Sequence, residues 1–303
     1  MKVGVIGLGK MGGGIAQKLL TEHEVVVWNR SKEVTEEFRS ANPTVAVSFN
    51  LEDLTSKLDS PKIIWTMLPS SAVEEILGQL KKYLSEGDVV IDGGNSNYKD
   101  TQRRFEEFES LKINFLGIGV SGGILARENG YPLMAGGSLA GYDLIKPILE
   151  TLSKPSGGYE YFGKGGAGHF VKMVHNGVEY GMMQSIGEGL EVLEKSDYRF
   201  DLPKVTSLWS KGTIVSGLLM QLIAKELEKN PALSDVSGII PRGGEGDWTV
   251  ETASEENVTI PVIETAVNYR KDSEENEEVQ NSFTAKVINS LRRAFGGHEV
   301  KKS

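Results

Sequence analysis

Short β-branched apolar runs alternate with amphipathic segments through the first half of the chain. Lys2 to Ile6, Val25 to Trp28, Ile63 to Met67, Val89 to Ile91 and Ile113 to Leu116 read as strands. Met11 to Leu20, Ser31 to Ser40, Ala72 to Tyr83 and Thr101 to Leu111 carry apolar residues at helical spacing. Such alternation predicts βαβ units, hence a mostly parallel sheet with helices on both faces. From about Gly165 the pattern turns helical, through Glu194, then Pro203 to Lys229, Pro261 to Tyr269 and Val279 to Phe295. The acidic run Asp272 to Glu278 reads as a solvated loop or a helix start. The expectation is an α/β Rossmann-like domain over residues 1–163, followed by an all-α domain over residues 164–303.

One helical segment is patterned differently. In His169 to Gln184, Lys172, His175, Asn176 and Glu179 fall at i, i+3, i+4 and i+7. On a helix of about 3.6 residues per turn these positions share one face. A solvated face is the ordinary explanation of a polar stripe. Exposed faces, however, are usually dominated by paired Glu and Lys at i,i+4, whereas this one holds an amine, an imidazole, an amide and a single carboxylate. A metal site is a further reading, since His175 and Glu179 at i,i+4 could share an ion with His169 nearby. Lys172 in the middle would repel that ion, and no second carboxylate cluster completes the ligand set, so no metal is expected.

Composition narrows the function classes. The chain of 303 residues is long enough for two cores, and its 39% hydrophobic content suits a globular protein. It contains no Cys, which excludes disulfides, thiolate metal sites and thiol catalysis and agrees with a cytoplasmic protein. The start of the chain lacks the pattern of a signal peptide, and no apolar run approaches the roughly 20 residues of a membrane span. A net charge of −9 argues against nucleic acid as a partner and leaves room for a local basic pocket holding a small anion.

Gly7-Leu8-Gly9-Lys10-Met11-Gly12 matches G-x-G-x-x-G between a strand and a helix, which would aim backbone N–H groups at a pyrophosphate. A ligand-free glycine turn is the alternative. About 20 residues on, where an acid would bind the ribose of NAD, the second strand ends in Asn29-Arg30-Ser31-Lys32. An amide, a guanidinium, a hydroxyl and an ammonium suit a 2′-phosphate, so NADP is expected over NAD, although Arg30 could be a plain surface cation. Two further loops follow strands, Asp92-Gly93-Gly94-Asn95-Ser96 and Gly117 to Gly123. Turn chemistry accounts for their glycines. Asn95 and Ser121 add hydrogen-bonding groups at the same sheet edge.

Together GLGKMGGG, DGGNS, GVSGG with ARENGYPLMAGG, HFVKMVHNGVEYG and the ending RRAFGGH resemble the short-chain type of decarboxylating 6-phosphogluconate dehydrogenase, within the β-hydroxyacid dehydrogenase superfamily. The likeness runs nearly the whole length, and the last two motifs are its most specific part. It implies oxidation and decarboxylation of 6-phosphogluconate to ribulose 5-phosphate with reduction of NADP. Lys172 is implied as general base and Glu179 as the acid that protonates the product enediol. The substrate set would be Asn95, Ser121, Gly122, Gly123, His175, Asn176, Tyr180, Arg270, Arg292 and His298. The cofactor set would be Gly7, Leu8, Gly9, Lys10, Met11, Gly12, Asn29, Arg30, Ser31, Met67, Leu68 and Asn95. A free lysine titrates near pH 10.4 or so, so Lys172 would need desolvation or a neighbouring cation to act as a base.

The resemblance also implies a homodimer or homotetramer, with the tail bearing Arg292 and His298 completing the neighbouring subunit's site; a solvated basic C-terminus is the alternative. The segment Arg242 to Thr249 departs from the family pattern. Long-chain relatives carry GTGKWT-like and short-chain ones GEGRWT sequences there, so Glu245 is expected and Asp247 in the arginine's place is the departure; neither acid can hold a phosphate. A non-phosphorylated sugar acid therefore stays open as substrate. So do a 3-hydroxyacid dehydrogenase or reductase that releases no CO2, and an inactive dinucleotide-binding module.

Overall fold

The structure, a computed structural model, describes residues 1–297. It contains strands β1 (Lys2–Ile6), β2 (Glu24–Trp28), β3 (Ala46–Val47), β4 (Ile63–Thr66), β5 (Val89–Asp92), β6 (Asn114–Val120), β7 (Pro132–Gly137) and β8 (Gly158–Tyr161). The helices interleaved with them are α1 (Lys10–Leu19), α2 (Lys32–Ala41), α3 (Leu51–Ser56), α4 (Ser70–Leu80), α5 (Tyr98–Ser110), α6 (Ala126–Asn129) and α7 (Leu139–Ser153). Then follow α8 (Ala167–Glu194), α9 (Leu202–Trp209), α10 (Leu218–Lys229), α11 (Gly244–Glu255), α12 (Pro261–Glu275), α13 (Glu277–Asn281) and α14 (Phe283–Gly296).

The eight strands form one sheet in the order β3-β2-β1-β4-β5-β6-β7-β8. Every pair is parallel except β6 with β7. Alternate residues of the central strands enter different cores: Val25, Val27, Ile63, Trp65, Val89 and Ile91 pack with α1 and α7, while Val26, Ile64 and Val90 pack with α3, α4 and α5. Both faces are thus covered, which is why these strands read as continuous apolar runs without polar alternation. The order in which strands are added reverses between β1 and β4, and the loops after β1, β4, β5 and β6 all leave from the carboxyl edge, where open α/β sheets bind ligands.

Several elements differ from the sequence reading. The segment Gly117 to Val120 is strand, not loop, because β6 continues in antiparallel pairing with β7 as far as Val120 opposite Leu133. β3, β7 and β8 were not predicted: β3 has two residues, β7 is rich in glycine and β8 is a partly exposed edge. Helices α3, α7 and α11 were likewise not predicted. The segment Pro203 to Lys229 is two helices, interrupted by Gly212 and Gly217 at φ +82° and +158°. The acidic run falls mostly inside α12, with Asn276 capping the start of α13 through Glu278 N–H and Val279 N–H.

By compactness the chain divides after Met173, and the second unit begins at Val174, within α8. In that second unit α10 packs on α9 and α14, and α11 on α12. No helix among the described residues is long and apolar enough to cross a membrane.

Candidate active site

In the first unit the glycine loop is held by backbone geometry. Gly7 adopts φ +92°, and a Cβ there would lie 2.3 Å from the Met67 carbonyl oxygen, so only glycine fits. Gly12 is equally constrained, since its Cβ would approach the Gly7 carbonyl oxygen to 2.0 Å. Gly9 is different: a Cβ there meets nothing within 4 Å, so no protein group explains its glycine. It is the N-cap of α1, whose first turn has no side-chain cap and no acid. A first turn without a side-chain cap or an acid, beside a side-chain-free position, is what a pyrophosphate needs, and these residues fit a dinucleotide.

Asn29 ties this loop to the end of β2, because its Oδ1 accepts from Leu8 N–H at 3.1 Å. Arg30 is exposed and makes no ion pair among the described residues. Ser31 donates its hydroxyl to Glu33 at 2.7 Å. Met67 and Leu68 follow β4, where Met67 N–H donates to the Ile6 carbonyl at 2.8 Å and borders the glycine loop.

The loop after β5 is organised from below by Asp92, which is 0% exposed. Its carboxylate accepts from Ser96 Oγ (2.7 Å), Gly94 N–H (3.1 Å) and Arg104 (3.2 Å). Asn95 is the exposed residue of the otherwise buried run Asp92 to Ser96. Asp92 and Arg104 were absent from the sequence-predicted site; the available signal was an acid closing a fully apolar strand, which needs a buried partner. The loop after β6 starts at Ser121, whose N–H donates to the Pro132 carbonyl, and Gly122 and Gly123 take φ +89° and +58°.

Gly117 and Gly119 are glycines within β6 because neighbours crowd them, Thr101 of α5 and then His169 at Gly117 and the start of α8 at Gly119. A Cβ at Gly119 would stand 2.3 Å from Lys172 Cβ, and one at Gly117 would stand 2.9 Å from His169 Nδ1. Lys172, 7% exposed, is thereby pressed against the sheet. One turn earlier, His169 Nδ1 meets Thr101 Oγ1 at 2.7 Å, and burial holds its imidazole below the ordinary range, opposed by the nearby Asp92 charge. This neutral buried His169 was also unassigned from sequence.

In the second unit, His175 Nδ1 lies 2.9 Å from Asn176 Oδ1 and 4.0 Å from Glu179 Oε2. With the amide so oriented, Nδ1 carries the proton. Tyr180 is buried, and its ring is covered by the Arg270 guanidinium, 3.3 Å from the centroid. Burial raises the Tyr180 phenol and pulls Arg270 down to about 10; the neighbouring Arg292 charge adds to the lowering of Arg270. Burial also lowers Arg292. Arg292 donates to Asn289 Oδ1 at 3.1 Å, and the Asn289 amide is fixed by the Ser237 and Ile239 carbonyls. Neither arginine has a carboxylate partner within ion-pair distance among the described residues, and Arg270 Nη2 has no hydrogen-bond partner.

Glu245 and Asp247 occupy the first turn of α11, where negative charge complements the helix dipole, a local reason for acids in that segment. The described residues hold no cluster of three or more metal-ligating side chains. His298 lies outside the described residues.

The family model for the NAD binding domain of 6-phosphogluconate dehydrogenase matches residues 2–165, and that for the 6-phosphogluconate dehydrogenase C-terminal domain matches residues 168–302. The chain belongs to the 6-phosphogluconate dehydrogenase family. Within it, a Bacillus subtilis protein, YqeC, with a provisional 6-phosphogluconate dehydrogenase name, is 38% identical over 100% of both chains. The NAD(+)-dependent, decarboxylating 6-phosphogluconate dehydrogenase of Haloferax volcanii is 37% identical over 100% of this chain and 99% of its own. The Plasmodium falciparum 6-phosphogluconate dehydrogenase structure superposes with a TM-score of 0.82 at 32% identity, covering 90% of this chain and 62% of that longer one. The chain is thus an NAD(P)-dependent member of this oxidoreductase family, with nicotinamide dinucleotide binding in its Rossmann-like domain.

Proposed function

We propose that the protein oxidises and decarboxylates 6-phosphogluconate to ribulose 5-phosphate and CO2, with NADP as the preferred acceptor. The observation that carries the choice of substrate is the Arg270–Arg292 pair around Tyr180. Two buried guanidiniums without a carboxylate are costly unless an anion joins them, and a phosphate dianion is such an anion.

A bound nicotinamide would supply the hydride acceptor for the third carbon of the sugar acid. Lys172 takes the proton of the hydroxyl on that carbon, leaving a β-keto acid. The ammonium so formed hydrogen-bonds the ketone oxygen and stabilises the enolate as CO2 leaves. Glu179, two turns along α8, then protonates the first carbon of the enediol. His175 and Asn176 would hold substrate hydroxyls, and Ser121, Gly122 and Gly123 the carboxylate end. Asn95 would stand between substrate and nicotinamide, while Tyr180, Arg270, Arg292 and His298 take the phosphate. Gly7 to Gly12, Met67 and Leu68 would hold the dinucleotide, with Asn29, Arg30 and Ser31 at its 2′-phosphate.

Incubation with 6-phosphogluconate and NADP tests the reaction: reduced cofactor and CO2 should appear in equal amounts. Cofactor reduction without CO2 would instead assign a plain hydroxyacid dehydrogenase, and cofactor binding without turnover an inactive module.

The same reading includes a homodimer or homotetramer. Val174, Val178 and Met182 place exposed apolar groups at i, i+4 and i+8 of α8, and Ile214, Val215 and Leu218 are exposed in the same unit. Apolar surface of that extent favours association. Light scattering at micromolar concentration should give a multiple of the chain mass, and a monomer would refute it.

A further inference from the structure

We infer that Glu33 is a specificity-determining residue at the adenosine end of the cofactor, presenting a carboxylate that accepts from a free ribose hydroxyl and opposes a 2′-phosphate. It deepens, and rests on, the proposal that Arg30 meets the 2′-phosphate.

At the end of the second strand of a dinucleotide-binding sheet, an acid serves the ribose hydroxyls of NAD and an arginine serves the 2′-phosphate of NADP. Arg30 and no acid stands at the strand end, but the first turn of the helix that follows supplies one, Glu33. Ser31 occupies the N-cap position of α2, yet its side chain accepts from no first-turn N–H. Its hydroxyl donates instead to Glu33 Oε2 at 2.7 Å. The Ser31 carbonyl accepts from Asn29 Nδ2 at 3.4 Å and from the buried Thr35 hydroxyl at 3.5 Å. Since Asn29 Oδ1 also accepts from Leu8 N–H, an unbroken chain of bonds runs from the glycine loop to the Glu33 carboxylate.

Charge accounting points the same way. Arg30 is exposed and in no ion pair among the described residues, so Glu33 does not neutralise it. Lys32, the other cation of the turn, lies over the Phe49 ring at 5.1 Å. The Ser31 hydroxyl holds the Glu33 carboxyl below its ordinary range, so it is charged at neutral pH. The corner therefore offers both a guanidinium and a carboxylate, and each favours a different cofactor. Family membership does not settle the choice: relatives with NAD(+)-dependent and NADP(+)-dependent names both stand at 37% identity to this chain. For a carboxylate several ångströms from a dianion in water, the penalty corresponds to about three- to tenfold in affinity.

Calorimetric titration of the whole protein with NADP, NAD, 2′,5′-ADP and 5′-AMP separates the terms. Glu33→Gln should tighten NADP and 2′,5′-ADP by about three- to tenfold at low salt, less at high salt, and weaken NAD. A NADP-to-NAD affinity ratio that stays within about twofold of the unaltered protein overturns the inference. Arg30→Ala serves as the second arm and should weaken NADP by about tenfold or more with little effect on NAD. If it weakens both alike, the 2′-phosphate reading itself fails. A selective Arg30→Ala beside a neutral Glu33→Gln removes Glu33 alone.

Discussion

Lys172→Met is expected to lower turnover of 6-phosphogluconate by about a thousandfold or more while leaving NADP affinity within about twofold. Methionine keeps most of the side-chain volume in a position only 7% exposed, so α8 can remain seated on Gly119 and the loss reports the amine. The proposed role uses that amine twice, as base toward the hydroxyl and as hydrogen-bond donor to the developing enolate. Both contributions are made in the transition state, so kcat and kcat/KM should fall together with little change in KM. Steady-state rates and calorimetry check this, and turnover within about tenfold of the unaltered enzyme would remove Lys172 from the chemistry.

Arg270→Met should separate substrate recognition from stability in opposite directions. Apparent affinity for 6-phosphogluconate should drop by roughly 30- to 150-fold, the worth of a charge-assisted contact to a phosphate, while any weak activity on gluconate stays unchanged. The unliganded protein should become more stable. Arg270 is a base whose pKa falls on folding, to about 10, chiefly through burial and then through Arg292. For a base lowered in this way, the cost of holding the charge is complete below about pH 10 and fades only as pH rises above it, toward the ordinary range of an unfolded arginine. At neutral pH it is therefore fully present, on the order of 3 kcal/mol or a little over, about 1.4 kcal/mol for each unit of the lowering. Part of it is offset by the guanidinium over the Tyr180 ring. A rise of a few degrees in Tm beside a selective loss of phosphorylated substrate is the expected pair of results. Equal weakening of phosphorylated and non-phosphorylated acids would mean that Arg270 does not meet the phosphate.

The sequence by itself determined the periodic elements. Continuous β-branched runs such as Val25 to Val27 and Val89 to Ile91 point to a sheet covered on both faces, since each of these residues is buried whichever way it points. The stripe Lys172, His175, Asn176 and Glu179 was equally legible, because all four lie on one helix and their spacing alone sets their common face. What only the tertiary structure decided depends on approach between segments distant in the chain. Gly117 and Gly119 read as turn glycines until Thr101 and α8 crowd them and leave no room for a Cβ. Asp92 and Arg104 gain their meaning from each other across a strand and a helix. Arg270 enters the substrate set from sequence only through the family resemblance, and packing alone shows it buried beside Tyr180 with no acid within ion-pair distance among the described residues. Hydrophobic period is a local property carried by every residue, whereas close approach and charge pairing are properties of two segments that meet only when the chain has folded.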